Sequence, residues 1–237
     1  MSEWAAKRFW KHADLIEADG GWAVTLDGRN VRTPGKHLLV VPSRALGEAI
    51  AAEWQAQDEK INPLTMPFTR SANSAIEKVA PQRDGVIAML AGYAETDLLC
   101  YRAEYPESLV SRQTEYWDPL LDWAAHVHGA RLLPVMGVIP QQQAEESLAQ
   151  LRDCVARFDT FELTALHDLI TLSGSLVLGL AIAEGHIDAN SAWPISELDA
   201  LFQQEQWGAD EDAVAERAVK EAAFLHAETL LHLVRRG

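Results

Sequence analysis

GWAVTLDGRNVRTPGKHLLVVPS, Gly21 to Ser43, is the stretch that decides the fold. Trp22, Val24 and Leu26 alternate with smaller or polar neighbours, the period-2 pattern of a strand with one buried face. Asp27-Gly28 supplies the positive-φ pair of a tight hairpin, and Asn30 to Thr33 returns. Pro34-Gly35 turns the chain again before Leu38 to Val41. The expectation is a three-stranded antiparallel meander, which is stable only with something packed on its apolar face. The next element supplies that cover. Ser43 is a natural N-cap, and Leu46, Ile50 and Trp54 fall on one face of the helix behind it. Trp54 is therefore read as core that docks helix on sheet. Gln57, Asp58, Glu59 and Lys60 close the helix in solvent.

Beyond it the pattern turns helical. Asn62-Pro63 and Met66-Pro67 impose an extended connection, and a helix opens at Pro67 in its favoured first-turn position. Helices are predicted over 67–79, 82–94, 107–117, 119–128, 141–158, 161–184 with a break near Gly174, 189–207 and 210–235. Asp118-Pro119 reads as a stop and restart. Gly129 and Gly208 sit where helix C-terminal glycines belong. Leu98 to Tyr101 and Leu132 to Ile139 read as short strands that join the N-terminal sheet, with Thr96 and Asp97 setting a turn before the first. The fold class is α+β: a small antiparallel β-containing N-terminal domain with one covering helix, residues 1–62, then a larger, mainly helical domain, 63–237.

The chain of 237 residues is 48% hydrophobic and 23% charged, an ordinary globular composition. Its net charge of −15 is unevenly spread. Residues 1–60 hold eight basic and nine acidic side chains, which leaves twelve basic and twenty-six acidic in the remainder. Such a surface repels phosphate backbones, so nucleic acid and anionic membrane are excluded as partners in favour of a basic or cationic-patched protein. The longest apolar run, Leu169 to Ala183, is shorter than the roughly 20 residues that span a bilayer and contains polar residues and two glycines, so it reads as a buried helix without membrane insertion. The first twenty residues carry acids and no apolar core, which does not suit a signal or transit peptide.

Chemistry is hard to find. Neither GxxxxGK[ST] nor GxGxxG occurs, and the GxSxG elbow is missing. His126 and His128 are two apart on a predicted helix and point in different directions. His226 and His232 also lie on different faces, and no metal site is expected. Cys100 and Cys154 form no disulfide or ligand pattern. Cys100 stands among Glu95, Asp97 and Glu104, which raise a thiol pKa, with Arg102 the only counterweight. No catalytic residue and no cofactor is expected.

The acidic last third is more suggestive. Residues 184–228 carry eleven acids against Arg217 and Lys220. In SELDALFQQEQWGADEDAVAERA, Asp199, Phe202 and Gln206 fall near one helix face and Trp207 ends it. An aromatic anchor rimmed by charge is the usual composition of a protein-binding hot spot.

An ordered set of pieces then resembles one family: RFWK (Arg8 to Lys11), VTLDGRNVRTP (Val24 to Pro34), LVVPS (Leu39 to Ser43), EWQAQ (Glu53 to Gln57), MPFTRSAN (Met66 to Asn73), ETDLLCYRA (Glu95 to Ala103), WDPLLDWA (Trp117 to Ala124), SGSLVLGLAIAEG (Ser173 to Gly185) and QEQWGADEDA (Gln204 to Ala213). Together they look like the assembly chaperones that act on the alpha subunit of ATP synthase. The resemblance implies a non-enzymatic, monomeric, cytoplasmic protein that binds free alpha subunit and keeps it from aggregating until the beta subunit replaces it. It also implies client contacts on the acidic helix before the Trp-Gly pair. Asp199, Glu205 and Trp207 match that pattern, Ala200 and Leu201 stand where further acids are expected, and the run Asp210, Glu211, Asp212 carries the remaining weight. The rival readings are a protein-binding adaptor with another client and a small hydrolase dependent on cysteine or a carboxylate pair.

Overall fold

The computed structural model describes residues 7–137 and 141–236. They fall into two compact units, Met1–Arg83 with Thr160–Ala165 and Thr229–Gly237, and Asp84–Asp159 with Leu166–Glu228.

The first unit holds an antiparallel sheet of β1 (Ala13–Ala18), β2 (Gly21–Leu26), β3 (Arg29–Asn30) and β4 (Val40–Val41). The quoted stretch does form strands, but β2 lies second in the sheet and β1 was missed. The β1 sequence ADLIEA gives no clean alternation, because as an edge strand it leaves Ile16 and Glu17 both exposed. Nor is the arrangement a meander. β1 pairs along the whole of β2, while β3 and β4 share its other edge, opposite Leu26 and Trp22 respectively. Between them the chain closes a side hairpin, with Thr33 N–H donating to His37 O at 2.9 Å, and returns to β2. Gly21 makes that return possible. Its φ is +147°, and a Cβ there would lie 2.1 Å from the Val41 carbonyl oxygen.

The covering helix is α1 (Arg44–Gln55), capped by Ser43 Oγ, which accepts from Leu46 N–H at 3.1 Å. Leu46 and Ile50 are fully buried. Gly47 brings the helix close, since a Cβ there would meet Leu15 Cδ1 at 2.5 Å. Trp54 departs from the expectation: it is half-buried, and its ring packs edge-on to buried Trp10 at 5.3 Å. It serves the segment before β1, as does Arg8, whose guanidinium donates to the carbonyls of Trp10, Lys11, Gln55 and Gln57. Gln55 reaches the outer edge of β1, where its oxygen accepts from Ala13 N–H at 2.8 Å and its NH2 donates to Lys11 O at 3.1 Å. Helix α2 (Pro67–Ser74) has no cap of its own at Met66. Half-buried Glu53 substitutes, accepting from Phe68 N–H, Thr69 N–H and Thr69 Oγ1–H at 2.6–2.8 Å. Burial pushes its pKa up against those same hydrogen bonds.

The second unit is helical: α3 (Arg83–Gly92, its first residue assigned to the other unit), α4 (Glu107–His128), α5 (Glu145–Ala156), most of α6 (Thr160–Ser173), α7 (Leu176–Ala183), α8 (Ala189–Ser196), α9 (Leu198–Trp207) and the first part of α10 (Glu211–Arg235). The predicted break at Asp118-Pro119 is absent, and α4 runs straight through Pro119. A proline inside a helix costs about 3 kcal/mol. Packing offsets that here, since Leu109, Gln113, Trp117, Leu120, Leu121 and Ala124 form one buried face. Trp117 Nε1–H donates to Ile195 O at 3.0 Å. The break near Gly174 is present, at φ +72°, and Ser175 caps α7, all of whose residues are buried.

Leu98–Cys100 is a 3-10 turn rather than a strand, and only β5 (Tyr101–Arg102) is extended. It pairs in parallel with β6 (Val135–Met136), so these pieces make a second sheet instead of joining the first. Residues 138 and 139 of the predicted second strand lie outside the described residues. The cause is Asp97, which is no surface turn residue. Its fully buried carboxylate accepts from Leu99 N–H at 3.1 Å and Val177 N–H at 3.0 Å, tying the 3-10 turn to the start of α7.

Burial raises the Asp97 pKa from 3.8 to about 6, more than these hydrogen bonds lower it. The native state therefore binds a proton more tightly than the unfolded chain. This contribution to stability is full below about pH 4 and is lost as pH rises to about 6, a swing of roughly 3 kcal/mol. Asp97→Asn, which has no charge to bury, is expected to lack that component. Denaturant titrations of both proteins from pH 4 to 6.5 should give free energies whose difference shifts in favour of the variant. Parallel profiles would contradict the assignment.

Candidate protein-binding site

The second unit carries the predicted residues, and α4 engages two of them, Asp199 and Glu205. Asp199 lies in the first turn of α9, where it favours the helix N-terminus. Its carboxylate is engaged from within: Gln113, buried in the α4 face, donates Nε2–H to Asp199 Oδ1 at 2.8 Å and accepts Ala103 N–H at 2.8 Å. Asp199 is thus an anchor of α9. Glu205 stands nearly two turns further on and is half-exposed. Arg112 meets it as a fork, Nη1 to Oε1 at 2.9 Å and Nη2 to Oε2 at 2.8 Å, with the guanidinium over the buried Phe202 ring at 5.3 Å. The arginine holds the Glu205 carboxyl below its ordinary pKa, so Glu205 stays ionised as one half of that pair.

Trp207 ends α9 with 84% of its surface exposed, the most exposed of the large apolar side chains among the described residues. Gly208, at φ +92°, turns the chain. Asp210 then caps α10, accepting from Ala213 N–H at 2.9 Å. Glu211 and Asp212 occupy the first turn and face water. The structure therefore brings Glu205, Trp207, Asp210, Glu211 and Asp212 to the exposed end of α9 and the start of α10. It withdraws Asp199 into a bridge to α4. Arg112 and Gln113 were missed, because nothing local in SRQTEY announces that its polar side chains meet a helix ninety residues away.

The thiols are placed otherwise than a nucleophile requires, which is to be a thiolate within reach of substrate. Burial first, then the Asp97 charge, push the Cys100 thiol up to about 12. Cys154 lies 3.2 Å from His128 Nδ1, whose Nε2 is 3.2 Å from Glu184, a grouping the sequence did not suggest. Cys154 is buried, its pKa is raised by that burial, and the rings of Trp123 and His128 meet edge-on at 5.0 Å. The trio fastens α4 to α5 and the end of α7 inside the unit. Among the described residues no group of three or more His, Cys, Asp or Glu is placed to hold a metal ion. No helix of the described residues is long and apolar enough to cross a membrane.

Residues 7–125 match the model of the family described as ATP12 chaperone protein. The mitochondrial protein atp12 of Schizosaccharomyces pombe is 25% identical over 219 residues, which cover 87% of this chain and 75% of that protein. The crystal structure of Atp12 from Paracoccus denitrificans is 55% identical and superposes with a TM-score of 0.96 over 98% of this chain and 100% of that one. A point mutant of the P. denitrificans protein gives the same identity and TM-score over 99% of this chain.

Proposed function

The chain belongs to the ATP12 chaperone family, whose members are assembly chaperones for ATP synthase, and from that premise we propose that its client is the free alpha subunit. It works as a cytoplasmic monomer, without catalysis or cofactor, covering the surface that alpha later gives to beta. An uncovered interface of that size is an aggregation liability, so a chaperone need only compete with self-association and then yield. The observation that carries this reading is the match of nearly the whole chain to Atp12 of P. denitrificans in both sequence and fold. Supporting it, the exposed end of α9 joins a solvent-facing Trp207 to the half-exposed carboxylate of Glu205 and the acids of the α10 N-terminus, the composition of a hot spot for a basic partner.

The test is binding of purified alpha subunit to the full chain, with aggregation of alpha followed by light scattering. Glu205→Lys is expected to weaken binding at least tenfold while the melting curve stays put, because the Arg112 pair it breaks is solvent-exposed and such pairs add little to stability. Equal affinity of variant and parent would remove Glu205 from the contact. Failure of the parent to bind alpha would remove the client.

A further inference from the structure

Helix α10 changes character along its length. From Phe224 onward Phe224, Ala227, Leu230, Leu231 and Val234 are buried, as expected of a core helix. From Glu211 to Ala222 every residue but Arg217 is exposed. That stretch is nonetheless not polar all round. At about 100° per residue, Val214, Ala215, Ala218, Val219 and Ala222 gather within an arc of about 140°. Val214 is 40% and Val219 72% exposed. A helix surface of this width and composition is what packs against a neighbour in a protein interior. Here each of the five faces solvent.

The charges around it are sorted. Glu221 lies along one side of the apolar stripe and Asp212 and Glu216 along the other, while Glu211 stands at its N-terminal end. The two cations of the segment are on the reverse of the helix. There Arg217 Nε–H donates to Glu197 at 3.0 Å and Nη1–H to Gln204 at 2.7 Å, fastening α10 to the start and the second turn of α9. Lys220 turns to Glu216 at 2.8 Å. Arg217 thus fixes which face looks outward, and the outward face is an apolar ridge between two acidic margins.

We infer that this face, Val214, Ala215, Ala218, Val219 and Ala222, is a second docking surface for the client, and that it receives an apolar segment flanked by arginine or lysine. The inference rests on the client reading above and extends it to residues outside the acidic site. A second copy of this chain is disfavoured as occupant by charge, since a two-fold contact would set Glu211, Asp212, Glu216 and Glu221 against their own images. A basic-flanked segment meets complementary margins and lets the valines bury against it, with the apolar centre and charged rim usual in interfaces.

The test uses the full chain and purified alpha subunit. Val219→Arg and, separately, Val214→Arg replace the two valines at the edges of the ridge, its largest apolar side chains, by a cation. Both positions face solvent, so the melting temperature is expected to stay within about 2 °C of the parent, as for surface substitutions generally. Affinity for alpha should fall at least tenfold in each. Lys220→Glu, on the reverse, should leave it within twofold. Binding indifferent to both arginines overturns the second surface and leaves the client reading intact. Absence of binding by the parent overturns both. Sedimentation of the chain alone supplies the third arm: a dimer that either arginine dissolves would give the ridge to a second copy and overturn the assignment to client.

Discussion

Replacing Trp117 by alanine is expected to cost the second unit about 3–5 kcal/mol, the range for truncating a buried aromatic side chain. Trp117 is fully buried at the centre of α4, directly before Asp118-Pro119. Three losses coincide there. The cavity forfeits the dispersion contacts of the indole. The part-buried Ile195 carbonyl loses the Nε1–H it accepts, a hydrogen bond of the order of 1 kcal/mol. The Arg102 guanidinium, 5.4 Å above the ring and paired with Asp118 at 2.6 Å, loses its aromatic floor. Because typical domains are stable by only about 5–15 kcal/mol, chemical denaturation should show a sharply lowered midpoint or no folded baseline at all. A further consequence is local. Proline in mid-helix is tolerated here because the face around it is packed, so Trp117→Ala should also loosen α4 at Pro119, visible as faster amide exchange over residues 113–123. A variant that melts like the parent would show that the packing of α4 resides elsewhere.

The second large effect is expected from one methyl group. Gly21→Ala builds a Cβ 2.1 Å from the Val41 carbonyl oxygen at a φ of +147°, a backbone angle that L-residues rarely adopt. Neither obstacle yields easily, because the atom in the way is backbone and not the tip of a flexible side chain. Relief requires β4 to leave β2, breaking the pairs Trp22↔Val41 and Ala23↔Val40, and fully buried Val41 would leave with them. The expected cost is about 3 kcal/mol or more, of the order seen when strain meets lost core packing. Gly20→Ala is the control: it shares a positive φ but has nothing within 4 Å, and should cost about 1 kcal/mol. Equal melting temperatures for the two variants would refute the steric argument.

These cases show where the sequence speaks and where it is silent. The α+β class, the cap at Ser43, the break at Gly174 and the long last helix followed from local signals, since a strand period, a cap and a positive-φ glycine are all written within a few residues. Positions set by distant partners were not legible. Pro119 has the local signature of a helix boundary, and only the buried face of α4 overrules it. Asp97 has the signature of a turn residue on the surface, and the backbone N–H groups that hold it inside belong to Leu99 in the adjacent turn and to Val177, eighty residues further along the chain. The site divides in the same way. Exposure of Trp207 and the acids of the α10 N-terminus followed from composition, whereas Asp199 appears equivalent to Glu205 in the sequence and is distinguished only by what faces it. Gln113 is buried and anchors Asp199; Arg112 is half-exposed and leaves Glu205 within reach of a partner.

The carboxamide of Gln55 on the outer side of β1 bears on the company this protein keeps. An edge strand offers its free N–H and C=O groups to any extended chain, and a chaperone meets unfinished chains as a matter of course. By accepting from Ala13 N–H and donating to Lys11 O, Gln55 presents β1 with the two halves of a peptide bond, a counterfeit neighbour one side chain long. The open run left beyond it is short and bears Asp14 and Glu17. The small sheet is thus closed to strand addition at the end where the chain enters it, so an extended chain finds no template there.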